Sequence, residues 1–279
     1  PQHRFSETDK FILDYYVQHG GNILWLVNGV RFSQDVLSSN GFTPVIAQDL
    51  NLTDLFFRYG VRVDASLVQD EQCLPIPVNV AAEGQEPNYQ PMPWYYAPLL
   101  LTSQLSVITK GVTQVSSYFA SPIEFVGGED GLEKEVLLAT SSSSRLIGVP
   151  AEVDLGDLNP EKELFRWQFV PVGVSVAGQF PSLFAHRLAP EGIVNANAER
   201  PLKAGRQVFI GSGSVIRNEV QNGQVLPAGF DRYTKMQFGN RDVVVNAVLW
   251  MTDEHGLIGL RTKEIPLRLL NDRRAHDQR

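Results

Sequence analysis

The chain has one cysteine, Cys73, among 279 residues, and this scarcity excludes a disulfide framework within it. Long hydrophobic runs are also missing. The longest candidates, Ile23 to Val27 and Trp94 to Leu101, fall well short of the roughly 20 residues that a membrane-spanning helix needs. Neither an initiator methionine nor a signal-peptide pattern is present at Pro1, so we expect a mature form or an excised fragment that does not itself insert into a membrane.

The chain also has fewer positively than negatively charged side chains. Lysine and arginine total 24 against 31 aspartates and glutamates, for a formal net charge of -7. This balance argues against nucleic acid as the main partner, because neutralising phosphates needs a cationic surface. Four arginines near the C-terminus are interrupted by two aspartates, which favours a solvated tail over a binding patch: Arg268, Asp272, Arg273, Arg274, Asp277 and Arg279.

Catalytic and metal-binding patterns are absent as well. Cys73 is followed by Pro75 and Pro77, which disfavours the strand-to-helix elbow of a catalytic cysteine and favours a buried or incidental thiol. No Gly-x-Ser-x-Gly elbow occurs. The five histidines form no pair at i+4 and no His-Glu-x-x-His motif: His3, His19, His186, His255 and His276. The sequence therefore predicts no catalytic residue, no metal site and no cofactor.

The N-terminal part has an α/β pattern. Ser6 is a good N-cap for a helix that Gly20-Gly21 ends, with Phe11, Ile12, Tyr15 and Tyr16 as its predicted apolar stripe. The run Ile23 to Val27 is typical of a strand buried on both faces in a parallel sheet. A helix followed at once by such a strand is the second half of a βαβ unit, so we expect the chain to be truncated at its N-terminus, inside or just before a larger layer.

Further elements follow from spacing. Asn51 to Tyr59 predicts a short helix closed by Gly60, and Val61 to Val68 alternates as a strand does. Prolines recur from Cys73 onward and strands dominate to about Ala204. The best strand predictions in that middle section are Val115 to Val126, Glu135 to Thr140, Arg145 to Val153 and Val172 to Phe180.

The α/β pattern returns with a strand at Arg206 to Ile210 and a Gly211-Ser212-Gly213-Ser214 turn. A tight turn is favoured there over an anion site, because the segment matches neither the P-loop nor the dinucleotide fingerprint. We then predict a short helix at Val215 to Val220, a loop, a deeply buried helix from the cap Asn240 to Thr252, and a last strand at Leu257 to Leu270.

These elements predict one α/β domain over 1–270, with α/β parts at 1–70 and 205–270, a β-rich part at 73–204, and a charged tail at 271–279. Trp94-Tyr95-Tyr96 favours core packing over a sugar-stacking or partner surface.

A series of segments resembles the gliding-motility-associated ABC-transporter auxiliary proteins of the GldG family, in that family's order and over nearly the whole chain. The segments that carry the resemblance are Phe5–Asp14, Gly20–Leu26, Asp49–Leu52, Tyr59–Arg62, Leu67–Asp70, Gln72–Pro77, Val136–Leu138, Thr140-Ser141, Ser144-Arg145, Gly229–Thr234, Phe238–Asp242, Asn246–Val248, Gly256–Ile258 and Leu260-Arg261.

The resemblance implies a Rossmann-like layer similar to class I glutamine amidotransferase-like domains, without their chemistry. It implies a periplasmic domain at the bacterial inner membrane, with membrane anchors outside this chain and with permease and ATPase subunits as partners. Ser212 and Ser214 stand where the wider family usually has acidic residues. Cys73 does not match the amidotransferase nucleophile position, and fold alone does not imply function.

We therefore expect a non-enzymatic transport component that acts through protein or ligand binding. The candidate binding residues are Asn28, Ser212, Ser214 and Asn218. Two alternatives stay open: a cell-envelope hydrolase or amidotransferase that uses Cys73 with His186 or His255, and a solute-binding protein with a deep cleft.

Overall fold

The backbone of the computed structural model is described for residues 3–81, 84–127, 131–158, 160–193, 202–221 and 223–261. It is a mixed α/β fold with 36% strand and 19% helix, so strands exceed their usual share in globular proteins. The helices are α1 (Glu7–Gln18), α2 (Gln34–Asn40), α3 (Thr53–Arg58), α4 (Asn240–Thr252) and α5 (Ile258–Arg261), and short 3₁₀ turns occur at Lys162–Leu164 and Gly213–Ile216.

The strands follow one another in chain order as β1 (Ile23–Leu26), β2 (Val30–Arg31), β3 (Phe42–Ala47), β4 (Val61–Val63), β5 (Ser66–Asp70), β6 (Cys73–Asn79), β7 (Tyr89–Thr102), β8 (Gln114–Ser116), β9 (Ile123–Phe125), β10 (Glu133–Ala139), β11 (Ser144–Gly148), β12 (Ala151–Asp154), β13 (Pro171–Gly178), β14 (Gly205–Ile210), β15 (Val220–Gln221) and β16 (Gln224–Val225). The β-rich middle section therefore has the character that its proline-punctuated sequence predicts.

The main sheet has the order β1-β14-β13-β10-β7-β6, with β8 pairing off β7. It curls into a mixed half-barrel. Its β1–β14 pairing is parallel, with Ile23 opposite Gln207 and Leu26 opposite Ile210. The other pairings within it are antiparallel. The sheet thus joins strands from both predicted α/β parts with strands from the middle section, and the amidotransferase-like relation of the fold stays a prediction.

The first strand lies between two cores, as its two-faced hydrophobicity predicts. Trp25 packs into a cluster that includes α1 and α3 residues. Leu24 and Leu26 point the other way, into a cluster that includes Val243 and Ala247 of α4. Helices therefore cover both faces of the β1–β14 pair, while a third core lies under β2, β3, β6 and β7.

The ends of α1 are confirmed. The Ser6 hydroxyl accepts from the Asp9 N–H at 3.1 Å, and the Asp9 carboxylate accepts from the Ser6 N–H at 2.9 Å, which forms a capping box. At the other end Gly20 has φ +84°, and Gly20 N and Gly21 N donate to Val17 O and Tyr16 O. These are the two bonds of a Schellman motif.

Half of the predicted apolar stripe of α1 is wrong, because Phe11 and Tyr15 are partly buried but the other two side chains face solvent. Ile12 and Tyr16 are 58% and 52% exposed, whereas Lys10 and Asp14 are 1% and 2% exposed. The buried polar groups are satisfied by α3 and the loop after β13: Lys10 Nζ lies 3.0 Å from an Asp54 carboxylate oxygen, and Asp14 accepts from the Tyr59 hydroxyl at 2.9 Å. Paired polar groups can occupy a core face, and hydrophobic periodicity does not detect them.

Helix α3 and its closing Gly60, with φ +79°, match the prediction. The strand predicted at Val61 to Val68 divides in two. β4 pairs with β9, and β5 pairs with β11. The strands predicted at Val115 to Val126 and Arg145 to Val153 divide in the same way, into β8 and β9 and into β11 and β12. The alternation of apolar and polar side chains predicts extended backbone. It does not show at which residue a strand changes its pairing partner.

Two C-terminal expectations need correction. The helix predicted at Val215 to Val220 is a 3₁₀ turn at Gly213–Ile216 followed by extended chain, because β15 pairs with β16. The strand predicted from Leu257 starts as helix α5, whose Ile258 N–H donates to Asp253 at 2.7 Å. The remainder of that strand, and the charged tail at 271–279, lie outside the described residues.

Helix α4 has the predicted bounds but a different cap and depth. Gly239 is its N-cap, and the Asn240 side chain instead bonds Ser116. One stripe, Val243, Ala247 and Met251, is buried, while three apolar side chains on the opposite side are more than a third exposed: Val245, Val248 and Leu249. Only one sheet face packs against this helix, so composition overstates its burial.

Candidate functional site

A cleft of about 580 Å³ opens at the carboxyl ends of β1 and β14. Asn28 follows β1 in this cleft, and Gly213 and Ser214 follow β14. Ligands of open α/β sheets bind outside the carboxyl ends of parallel strands, and the volume lies within the range of about 300 to 1,000 Å³ typical of small-molecule sites. The cleft is therefore the best candidate site in the described part of the chain.

Three distant chain segments meet at the floor of the cleft. The Asn28 amide donates to Phe119 O at 3.1 Å and accepts from Gly213 N at 2.8 Å. The Ser214 hydroxyl accepts from Tyr118 N at 2.8 Å. The Ser212 hydroxyl donates to Tyr118 O at 3.0 Å and lies 2.7 Å from the Ser214 hydroxyl. These side chains hold the 117–122 segment against the ends of both parallel strands.

The held segment contains a backbone outlier. Phe119 has φ +51° and is 2% exposed, and a bulky side chain rarely adopts this left-handed conformation. Its ring packs against Phe32 with a centroid distance of 4.0 Å and against Tyr96 at 5.9 Å. Strained residues persist where the surroundings over-determine them, and they cluster at functional sites. The Asn28 and Ser212 bonds flank this outlier directly.

The structure brings together three of the four predicted site residues. Asn28 and Ser214 line the cleft, and Ser212 is buried next to Ser214. Asn218 lies apart, where its amide donates to Leu226 O at 2.7 Å near the β15–β16 hairpin. The N–H of Gly213 already donates to Asn28, so the Gly211 to Ser214 segment has the geometry of a tight turn. Its two serine hydroxyls hydrogen-bond to the backbone of Tyr118 at the floor of the cleft. Ligand binding by these residues stays a prediction.

The cleft walls come from residues that the sequence did not single out. Arg31 ends β2, Phe32 follows it, and Arg217 follows the 3₁₀ turn. The Arg217 guanidinium lies 5.8 Å from the Tyr118 ring centroid, within the range of a cation–π contact. No local motif joins these residues, because they meet only where β2, a strand of a separate three-stranded sheet, lies beside the loop after β14.

Tyr118 forms part of one wall and is protonated at physiological pH. Burial raises the pKa of its phenol well above the usual range, and the negative charges of Asp231 and Glu219 add to that effect. Glu219 is itself within 3.6 Å of Arg232. The phenol therefore offers a neutral O–H group and an aromatic face to the cleft.

Cys73 lacks the features of a nucleophile. It begins strand β6 and pairs with Pro98, so it does not lie at a helix N-terminus. Burial raises the pKa of its thiol to about 12, and the charge of Asp70 contributes. A thiol with such a pKa is protonated at neutral pH, and only the thiolate is a strong nucleophile.

Burial answers one further sequence question, that of the Trp94-Tyr95-Tyr96 cluster. Trp94 and Tyr96 are each 3% exposed and belong to the third core, which confirms core packing over an exposed stacking surface. Within the described ranges no group of three or more His, Cys, Asp or Glu side chains is placed to hold a metal ion.

No helix among the described residues has both the length and the hydrophobicity needed to cross a membrane. A search of curated proteins and a search of solved structures gave no match. Residues 1–247 match the model of a protein family described as an ABC-type uncharacterized transport system. Because the match covers most of the 279 residues, the chain belongs to this family of auxiliary components of ABC-type transport systems.

Proposed function

We propose that this chain is a non-catalytic domain of an ABC-type transport system and that it works by binding a ligand or partner. The observation that carries the proposal is the family match over residues 1–247. The cleft at the carboxyl ends of β1 and β14 supports binding as the mode of action, because its floor is held rigidly by Asn28, Ser212 and Ser214. Rigid, preorganised sites lose less entropy when they bind.

The described side chains at the floor of the cleft are engaged by the backbone, which supports a non-catalytic role. The side chains at the floor donate to and accept from backbone groups, so none is poised as a general base or nucleophile. The thiol of Cys73 has a pKa of about 12 and belongs to strand β6. These features disfavour the alternative of an amidotransferase-like or hydrolytic enzyme that acts on cell-envelope material.

The finer part of the proposal rests on the sequence resemblance. On that basis we propose that the domain lies on the periplasmic face of the bacterial inner membrane, with anchors outside this chain, and that it works in gliding-motility systems of the GldG type. Its partners are then the permease and the ATPase of one transporter.

Purification of the natural full-length protein from detergent-solubilised membranes tests the partner assignment. We expect the permease and the ATPase of a single ABC transporter to co-purify in near-stoichiometric amounts. Recovery of the protein without either subunit would overturn the proposed function. Turnover of glutamine or of cell-wall amides, lost in Cys73→Ser, would establish the enzyme alternative instead.

A labelling experiment tests the location. Glu152 is exposed on β12, so Glu152→Cys in the full-length protein provides an accessible thiol. We expect a membrane-impermeant maleimide to label this thiol in intact spheroplasts, while Cys73 in the parent protein stays unlabelled. Labelling only after membrane lysis would contradict a periplasmic position.

A further inference from the structure

The charges around the cleft differ from those of the whole chain. The protein has 31 acidic against 24 basic side chains, yet none of the described residues that line the cleft is an aspartate or glutamate. Two arginines, Arg31 and Arg217, and a histidine, His3, are among the lining residues. A cleft lined by one sign of charge focuses the field and attracts ligands of the opposite sign.

The two arginines of the cleft differ from four other arginines of the described chain, each of which pairs with a carboxylate. Arg4, Arg62, Arg187 and Arg232 each form an ion pair. Arg31 and Arg217 form none with any carboxylate that the structure describes. Both are exposed at the cleft, where their guanidinium groups are available to a ligand.

Two acidic groups, Asp231 and Glu219, act on Tyr118, and both have other partners. Glu219 pairs with Arg232 at 3.6 Å. Asp231 accepts from the Thr234 N–H and hydroxyl, both at 2.6 Å, and is 4% exposed. Neither carboxylate lines the cleft, so the cationic wall keeps its sign.

The remaining wall is aromatic. Phe32 and Tyr118 line the cleft beside the arginines, and Phe119 lies beneath Phe32 with its ring held in the core. Aromatic faces and guanidinium planes together suit a ligand with a flat or apolar body and an oxyanion group. Bidentate contact with a carboxylate or phosphate is the interaction that a guanidinium makes best.

We infer that the cleft binds a small organic oxyanion, a carboxylate or phosphate attached to an aromatic or apolar body, through Arg31 and Arg217. The oxyanion contacts the guanidinium groups, and the body packs against Phe32 and Tyr118. This inference rests on the proposed function in one respect only, that the domain acts by binding.

Calorimetric titration of the purified chain with small probes tests the inference. The probes are benzoate, phenyl phosphate, the neutral benzyl alcohol and inorganic phosphate. We expect benzoate or phenyl phosphate to bind at least about tenfold more tightly than benzyl alcohol and inorganic phosphate, a tenfold ratio being about 1.4 kcal/mol. Which of the two anions binds more tightly identifies the oxyanion as carboxylate or phosphate.

Substitutions of the two arginines test whether the anion binds in this cleft. The double variant Arg31→Ala/Arg217→Ala is expected to weaken the better anion at least about tenfold. Arg241→Ala removes an exposed arginine from the surface of α4 and is expected to change the affinity by less than about twofold. Circular dichroism and melting curves check that each variant is folded, and Arg31→Gln/Arg217→Gln provides a second pair of similar bulk.

Four outcomes would overturn the inference: no binding of either organic anion, equal binding of benzyl alcohol, equal binding of inorganic phosphate, or unchanged affinity in the double variants. Co-purification of permease and ATPase is scored separately. If the subunits co-purify but the organic anions do not bind, the ligand class is wrong and the transport role stands. If anions bind but no subunit co-purifies, the site stands and the transport role fails.

Discussion

The side-chain amide of Asn28 donates to the carbonyl oxygen of Phe119 at 3.1 Å, and the same amide accepts from Gly213 N at 2.8 Å. One side chain thus joins the end of β1, the left-handed turn at Phe119 and the loop after β14. The cleft has its shape because these three segments, far apart in the chain, are held at fixed distances.

Asn28→Ala tests this role. Removing the amide leaves the Phe119 carbonyl and the Gly213 N–H without their partner in a partly buried place, so we expect a loss of about 1 to 3 kcal/mol in the free energy of unfolding. Urea unfolding measures it. Asn218→Ala, which removes a bond to the exposed-loop carbonyl of Leu226, is expected to stay within about 0.5 kcal/mol. Equal losses in both variants would contradict the role of Asn28 at the floor.

Gly211 is required by a close backbone approach. A Cβ at this position would collide with the carbonyl oxygen of Ser121, whose own N–H donates to Gly211 O at 2.8 Å. We expect Gly211→Ala to destabilise the fold by about 1 to 3 kcal/mol, because neither backbone can move without breaking that bond. The control is Gly148→Ala, where a Cβ would meet no atom within 4 Å.

Chemical denaturation of both glycine variants gives the comparison. The Gly148 variant is expected to lie within about 0.5 kcal/mol of the parent chain. If the Gly211 variant were as stable as the Gly148 variant, the backbones of Gly211 and Ser121 would not be in the close contact on which the prediction rests.

Asp14 and Tyr59 form a buried pair whose strength a double-mutant cycle measures. Asp14 accepts from the Tyr59 hydroxyl at 2.9 Å, from the Ser182 hydroxyl at 2.6 Å and from Leu183 N. Burial, with the charge of Asp14, raises the pKa of Tyr59 well above its usual range, so the phenol is a proton donor.

We expect Asp14→Ala to cost about 2 to 4 kcal/mol, since it strands several buried donors, and Tyr59→Phe to cost less. The two changes are expected to be non-additive by about 0.5 to 3 kcal/mol. Unfolding free energies of the parent, both single variants and the double variant provide the measurement. Strict additivity would exclude a direct bond between these side chains.

The contacts of Asp54 with Lys10 and Arg187 make the stability of the fold depend on pH. Burial raises the pKa of this carboxyl, but hydrogen bonds from Arg187 and Lys10 outweigh burial and leave the pKa below its ordinary 3.8. A carboxyl with a lowered folded-state pKa contributes stability above its unfolded pKa and loses that contribution as the pH falls through the folded value. The contribution is therefore present above about pH 4 and disappears at lower pH.

Asp54→Asn should accordingly be less stable than the parent chain at pH 6, with the difference shrinking as the pH falls below 4. Thermal melts in a pH series measure the difference. Glu152→Gln changes an exposed carboxylate on β12 that forms no ion pair within the described part of the chain, and it serves as the control. A difference for Asp54→Asn that stayed constant from pH 6 to pH 2 would refute the assignment.

Cys73 should be a slow thiol. Its pKa rises from 9.0 to about 12 because of burial and the charge of Asp70, and iodoacetamide reacts with thiolates. At pH 8 we expect alkylation in the folded chain to be at least about 100-fold slower than in urea-unfolded chain, followed by mass spectrometry. Rapid modification of the folded chain would reopen the enzyme alternative.

Elements whose signals lie within a few residues could be predicted. The Ser6 cap, the Gly20 ending and the Gly60 ending each depend on groups in the same turn. The double-faced β1 was predictable because Trp25 and its neighbours are apolar on both sides of the strand. The position of Cys73 in strand β6, away from any helix N-terminus, agrees with its proline-rich surroundings in the sequence.

Elements and faces that depend on distant partners could not be predicted. The buried face of α1 carries Lys10 and Asp14 because α3 and the 182–183 loop supply their partners. The expected helix after Ser214 did not form, because that segment bonds Tyr118 and then enters a hairpin. Asn240 was predicted as a cap and instead bonds Ser116, 124 residues away.

The sequence by itself determined the mixed α/β class, the ends of α1, the buried strand β1 and the lack of a nucleophile motif. Only the tertiary structure decided that Asn28, Ser212 and Ser214 support a strained turn, and that Arg31, Arg217 and Tyr118 form the walls above it. Caps and periodicity act between neighbours in the chain, whereas the cleft is made where the parallel strands β1 and β14, separated by most of the chain, end side by side.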